Sequence, residues 1–89
     1  MDDDGRPHRE FPDVYSIKAV GKDRDDFAAH AKAVVTAIVA DGDSVTHKTR
    51  ESKNGTYISV TIHFTARDQA ELDLVFTTMN ADDRVVWVL

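Results

Sequence analysis

The sequence predicts an α+β fold of order βαββαβ: a four-stranded antiparallel sheet with two helices on one face. Three observations lead there. Residues 57–65 alternate apolar and polar positions with a period of two, which is the signature of a strand with one buried side. Phe27, Ala31, Val34, Val35 and Ile38 recur at helical spacing, and so do Leu72, Val75, Phe76 and Met79. Short runs rich in β-branched residues, 14–20 and 85–89, lie at the two ends of this pattern.

The elements follow in order. Residues 1–10 carry Asp2, Asp3, Asp4, Arg6, His8 and Arg9 and nothing apolar after Met1, so they are expected to form a disordered tail ahead of a single domain at 11–89. In the first strand, Tyr15, Ile17 and Ala19 share one face, while Val14, Ser16, Lys18 and Val20 share the other. Gly21-Lys22 is expected to break that strand. Asp23 is then the expected N-cap, with Asp25 and Asp26 in a first turn whose unpaired amides favour negative charge. Gly42 is the expected stop, giving a helix of roughly 18 residues, ~27 Å long.

The second strand, 45–53, is polar and charged through Thr46, His47, Lys48, Thr49 and Arg50, as suits a sheet edge that must not pair with other molecules. Asn54-Gly55 is a hairpin signal, because both residue types tolerate positive φ. In the third strand Ile58, Val60, Ile62 and Phe64 point one way, and Tyr57, Ser59, Thr61 and His63 the other. Thr65 with Asp68 three residues later has the form of a capping box for the second helix, which ends near Asn80. Asp82-Asp83 makes the last turn. The terminal strand places Val85 and Trp87 on one side and Val86 and Val88 on the other.

Two βαβ halves with right-handed crossovers interleave into a ferredoxin-like sandwich, first and third strands central, second and fourth at the edges. The polarity agrees, since the third strand is the most apolar and the second the most charged.

Composition bounds the function. The chain has 89 residues, 16 acidic against 11 basic, a net charge of −5 and no cysteine. Disulfides and thiolate chemistry are excluded, and the overall charge disfavours nucleic acid and anionic membranes. No apolar run reaches the roughly 18–20 residues of a membrane span, and the acidic start is unlike a signal peptide, so the expected location is the cytoplasm.

The sheet face without helices is the surface on which to look for function. It carries Ser16 and Lys18 from the first strand and Tyr57, Ser59, Thr61 and His63 from the third. A hairpin in which residue 53 pairs with 56 adds Thr46, Lys48, Arg50 and Ser52; a loop one residue longer turns them to the other side. A plain solvated face or a dimer interface is the alternative.

Several stretches resemble the YbeD family of small bacterial proteins of uncharacterised function: Phe11-Pro12, Ile17-Lys18 with Gly21, Ser52-Lys53, Gly55, Tyr57, Ser59-Val60, Ile62, and terminal Val88-Leu89. The similarity runs from about residue 11 to the end. The sequence departs from the family at the hairpin, one residue longer around Asn54, and at Val20, where a methionine is usual. The resemblance implies a ferredoxin-like, ACT-like fold and, by analogy of fold, a regulatory domain that binds a small ligand or pairs its sheet.

Enzyme readings fare poorly. An acylphosphatase-type phosphate loop after the first strand would here contain Asp23, Asp25 and Asp26, which repel phosphate, and Arg24 is better read as their partner or as simply solvated. His30, His47 and His63 fall on three different elements, without the spacing of a metal-ligand set. RNA binding on strand aromatics is disfavoured because Ser59 and Thr61 stand where further rings would stack. No catalytic residue, metal or cofactor is called for. Two non-enzymatic readings remain: a module that docks a protein partner or a second copy through its sheet face or edge, and a domain that binds a small anionic metabolite. The candidate binding residues are Lys18, Lys48, Arg50, Tyr57, Ser59 and His63. Because neither side of the last strand is polar, Phe11 and the N-terminal segment, or another subunit, are expected to cover it.

Overall fold

A computed structural model describes residues 10–52 and 54–89. The expectations for residues 1–9 and for Lys53, including its pairing with residue 56, lie outside the described residues. Strand β1 (Asp13–Lys22) leads to helix α1 (Phe27–Ile38), a 3-10 turn at Gly42–Ser44, strands β2 (Thr46–Glu51) and β3 (Tyr57–Ala66), helix α2 (Gln69–Ala81) and strand β4 (Val85–Val88). The sheet order is β2-β3-β1-β4, with every neighbouring pair antiparallel. The ferredoxin-like α+β prediction is borne out, with β1 and β3 central.

Burial follows the alternation. Ile58, Val60, Ile62, Phe64 and Ala66 of β3 and Ile17 and Ala19 of β1 pack against Phe27, Ala31 and Val35 of α1 and Leu72, Val75 and Met79 of α2. Ser16 and Lys18, across the sheet from the helices, are exposed. Strand β2 is exposed along its whole length, with four charged or titratable residues (His47, Lys48, Arg50, Glu51) among its six. An edge of that composition resists pairing with another chain.

Several local expectations are corrected. Gly21 does not break β1, which runs on through Lys22. It lies under the first residue of α1, where a Cβ would stand 2.6 Å from the Phe27 ring and 2.7 Å from the Arg84 carbonyl oxygen. Because the strand is longer, Asp23 remains in its lane and donates its amide to Thr56 O at 3.0 Å, so it cannot cap α1. The chain instead turns through two left-handed residues, Asp25 (φ 54°) and Asp26 (φ 53°), and Asp26 becomes the N-cap without a side-chain cap bond. Aspartate is one of the few non-glycine residues that enter this region at modest cost. Arg84 holds the turn: its Nη2 donates to Arg24 O at 2.9 Å and Asp25 O at 2.7 Å, and its guanidinium lies 5.8 Å from the centre of the Phe27 ring. Arg24 contributes its carbonyl here, and among the described ion pairs its side chain is not matched with Asp23, Asp25 or Asp26, in keeping with the solvated alternative.

Helix α1 has 12 residues and stops at Ile38, not at Gly42. Val39 turns extended to enter the core, and Ala40 N donates to Glu71 Oε2 at 3.0 Å. Glu71 is the buried carboxylate of the protein's described core, 6% exposed, and its Oε1 also accepts from Arg67 N at 2.9 Å. Its own amide donates to Asp68 Oδ1 at 2.9 Å. The N-cap is therefore Asp68, bonded to the Glu71 amide, while the Glu71 carboxylate reaches one residue further back, to Arg67 N; Thr65 does not cap the helix and still belongs to β3.

The last strand departs from simple alternation. Val20 pairs with Trp87 but Gly21 with Val85, so Val86 is the extra residue of a β-bulge. The bulge puts both Val85 and Val88 against the core and leaves Val86 and Trp87 exposed. Phe11 does not cover them. Its ring packs on Tyr15, 5.4 Å between centroids, at the end of β1 far from β4.

The Gly21 contact makes a direct prediction. Gly21→Ala forces apart the Phe27 ring and the Arg84 backbone and is expected to cost about 1–3 kcal/mol, the usual range for overpacking. Gly42→Ala meets only the Thr36 methyl, at 3.3 Å, as its nearest atom, so it is expected to cost much less. Urea unfolding of the two variants gives the comparison.

Candidate functional site

The register of the β2–β3 hairpin decides which second-strand residues reach the open face. Ser52 N donates to Tyr57 O at 2.8 Å, and Gly55, left-handed at φ 69°, donates its amide to Ser52 O at 3.0 Å. Thr46, Lys48 and Arg50 accordingly pair with His63, Thr61 and Ser59. Of the two registers, this is the one that brings Lys48 and Arg50 to the open side, while His47 and Glu51 fall on the helix side opposite Ile62 and Ile58.

Cross-strand rows then define the surface. One row reads Thr46, His63, Ser16; the next reads Lys48, Thr61, Lys18; the next reads Arg50, Ser59, Val20, Trp87; the last carries Tyr57 and Lys22. With strands ~4.8 Å apart, Lys18 and Lys48 stand ~10 Å apart across the Thr61 hydroxyl, and Lys48 and Arg50 follow each other ~7 Å along one strand. Among the described residues, the strand positions on this face hold Lys18, Lys22, Lys48 and Arg50 and no Asp or Glu side chain. Asp13 and Glu51, the acidic residues of the strands, both alternate to the other side, opposite Ala66 and Ile58. A protein of net charge −5 thus keeps one face cationic.

Two hydroxyls on this face are tied to the backbone. Ser59 Oγ donates to Arg50 O at 3.3 Å, and Ser52 Oγ accepts from Tyr57 N at 3.1 Å. Tyr57 and Trp87 lie 6.1 Å apart between ring centroids at 40°, a tilted pair in direct contact. Beside them is a cavity of about 270 Å³ lined by Val20, Arg50, Glu51, Ser52, Tyr57, Ser59 and Trp87. Val20 forms its floor at 6% exposure, and Trp87 is 47% exposed.

The six sequence-derived candidates do not make one site. Lys18, Lys48, Arg50 and Ser59 gather around Thr61. Tyr57 joins them from the hairpin end through Trp87. His63 lies six residues along β3 from Tyr57, ~20 Å away, beside a separate cavity of about 480 Å³ formed with Val14, Tyr15, Ser16, Leu72 and Phe76. The other histidines are placed elsewhere: His47 on the helix side, and His30 on α1 with Nε2 2.6 Å from Asp82 Oδ2.

Two residues of the cluster escaped the sequence reading. Lys22 was assigned to a strand break, although it follows Lys18 and Val20 at the same period of two. Trp87 was grouped with Val85, and the bulge that separates them has no signature in the sequence.

The architecture and this face define a ferredoxin-like α+β domain whose helix-free sheet surface is positively charged. The chain belongs to the family described as "Protein of unknown function (DUF493)", whose model matches residues 6–89. It is similar to the UPF0250 proteins of Nitrosomonas europaea, 29% identical over 80 residues covering 90% of this chain and 92% of that one, and of Azotobacter vinelandii, 34% identical over 84 residues covering 93% and 91%. UPF0250 is the YbeD family, so the resemblance seen in the sequence is borne out. Among solved structures, protein HP0495 from H. pylori superposes with a TM-score of 0.72 at 18% identity, covering 98% of this chain and 91% of that one. At that identity the likeness shows the fold alone.

Trp87, the single tryptophan, reports on the local field. Iodide is expected to quench its fluorescence more strongly than caesium, each normalised to free tryptophan amide, against the sign of the net charge. Replacing Lys18 and Lys22 by Glu is expected to reverse the order.

Proposed function

We propose that this chain is a non-enzymatic regulatory or interaction module of the cytoplasm that recognises an anionic partner on the open face of its sheet. The observation that carries the reading is the charge segregation: Lys18, Lys22, Lys48 and Arg50 project from one face on which the described strand positions place no Asp or Glu side chain. Chance mixing in an acidic chain works against such a face, whose cations repel one another weakly at ~7–10 Å unless an opposite charge meets them. Their range is short, ~8–10 Å at ordinary salt, so the face selects what touches it and does not steer from afar. The non-catalytic part of the reading draws support from Ser52 and Ser59, whose hydroxyls are engaged with main-chain groups and not with a base.

A small ligand is favoured over a protein surface by one feature, the cavity beside Trp87, whose floor at Val20 is apolar and whose rim holds Arg50. Among the described residues no helix is long and apolar enough to cross a membrane.

A thermal-shift screen of nucleotides, amino acids, small carboxylates and acidic peptides tests the reading, because a ligand that binds only the folded state raises its midpoint. At least one anionic class is expected to raise the midpoint by several degrees, and the Lys18→Glu/Lys48→Glu variant to lose the shift. No response from any anionic class, or a response that survives in the double variant, overturns the proposal.

A further inference from the structure

The geometry points to a ligand with two chemically distinct halves: we infer that the open face takes a nucleoside phosphate, its ring stacked on Trp87 and its phosphates over Lys18, Lys48 and Arg50. The inference rests on the anionic-partner reading and adds the ring.

Three observations lead to it. First, the aromatic pair adjoins the cations. Trp87 lies one strand and one row from Lys18, ~8 Å, and shares its row with Arg50 across Val20 and Ser59, while Lys22 pairs with Tyr57 in the row beyond. A flat group on Trp87 therefore has cations within reach, and those that lie together across the sheet are Lys18, Lys48 and Arg50. Second, the Tyr57 and Trp87 rings are already in contact at 6.1 Å, too close to admit a third ring between them. The ligand ring must lie against the exposed surface of Trp87, with Val20 beneath, and Tyr57 serves as a buttress fixing the indole. Among the lining residues Glu51 is acidic, but its side chain alternates to the helix side, opposite Ile58. Third, the cations surround a short stretch of sheet. Lys18 and Lys48 face each other across Thr61, and Arg50 follows Lys48. That spacing suits a few linked phosphates. A long polyanion would run off a four-stranded face onto the acidic remainder of a chain of charge −5. Aromatic stacking joined to cationic contacts is how open sheets hold nucleotides generally; what distinguishes this face is that its reach ends after one.

Adenosine triphosphate, inorganic tripolyphosphate and adenosine serve as probes, read by Trp87 fluorescence excited at the red edge of its absorption and by calorimetry. Adenosine triphosphate is expected to quench Trp87 saturably. Tripolyphosphate is expected to compete with it but to bind at least tenfold more weakly, and adenosine alone more weakly still. Trp87→Ala is expected to reduce the nucleotide's affinity to that of tripolyphosphate, with Trp87→Phe restoring most of it. Trp87 is exposed, so neither variant removes a core residue. If adenosine triphosphate binds no more tightly than tripolyphosphate, or Trp87→Ala leaves its affinity unchanged, the ring seat is wrong while the anionic face stands. If neither phosphate binds, the nucleoside phosphate is wrong, and the anionic-partner reading is decided by the carboxylate and acidic-peptide arms of the thermal-shift screen. A single-stranded thymidine oligonucleotide that binds much more tightly than the mononucleotide overturns the one-nucleotide ligand in favour of a polymer.

Discussion

Parity along the two central strands is the constraint on which this molecule depends. Strand β3 offers ten positions, and every second one, from Ile58 to Ala66, is buried under the helices. Strand β1 obeys the same rule in register with it, Ile17 opposite Ile62 and Ala19 opposite Val60. Each apolar residue committed to the helix side fixes its neighbours on the other side, so Ser16, Lys18, Ser59 and Thr61 face outward by the same alternation. A slip of one residue would bury Lys18 in β1, or Thr61 and His63 in β3, and expose the core. The open face is therefore a by-product of core packing, its register fixed by that of the core.

The helices act on this frame through a few polar ties. Glu71 gathers the amides of Ala40 and Arg67, joining the end of α1 to the start of α2. Arg84 and Asp82 join the opposite ends: Asp82 accepts from Arg84 N at 2.8 Å and meets His30, while the Arg84 side chain holds the β1–α1 turn. Both groups satisfy backbone atoms that helix termini and turns otherwise leave unpaired.

The period-two and period-3.6 patterns made the fold legible in the sequence, because burial of one face dictates them directly. Element ends were less legible for a physical reason. Asp23, Asp25 and Asp26 are all good caps, and which one serves is settled by how far β1 continues beyond Gly21, a tertiary matter of Phe27 and Arg84 needing the space of a missing Cβ. Gly42 looked like a helix stop, yet α1 had already ended where Val39 found the core. The candidate face was read correctly in its strand residues, given the register that the hairpin adopts. Lys22 and Trp87 were missed because one depended on the length of β1 and the other on a bulge at Val86.

Amide-resolved nuclear magnetic resonance during titration with inorganic tripolyphosphate tests the central claim most directly. Chemical-shift changes concentrated at Lys18, Val20, Lys48, Arg50, Ser59 and Thr61, and suppressed by salt, are the predicted result. Changes centred on the start of α1, on the histidine pair with Asp82, or spread evenly over the chain would contradict the account.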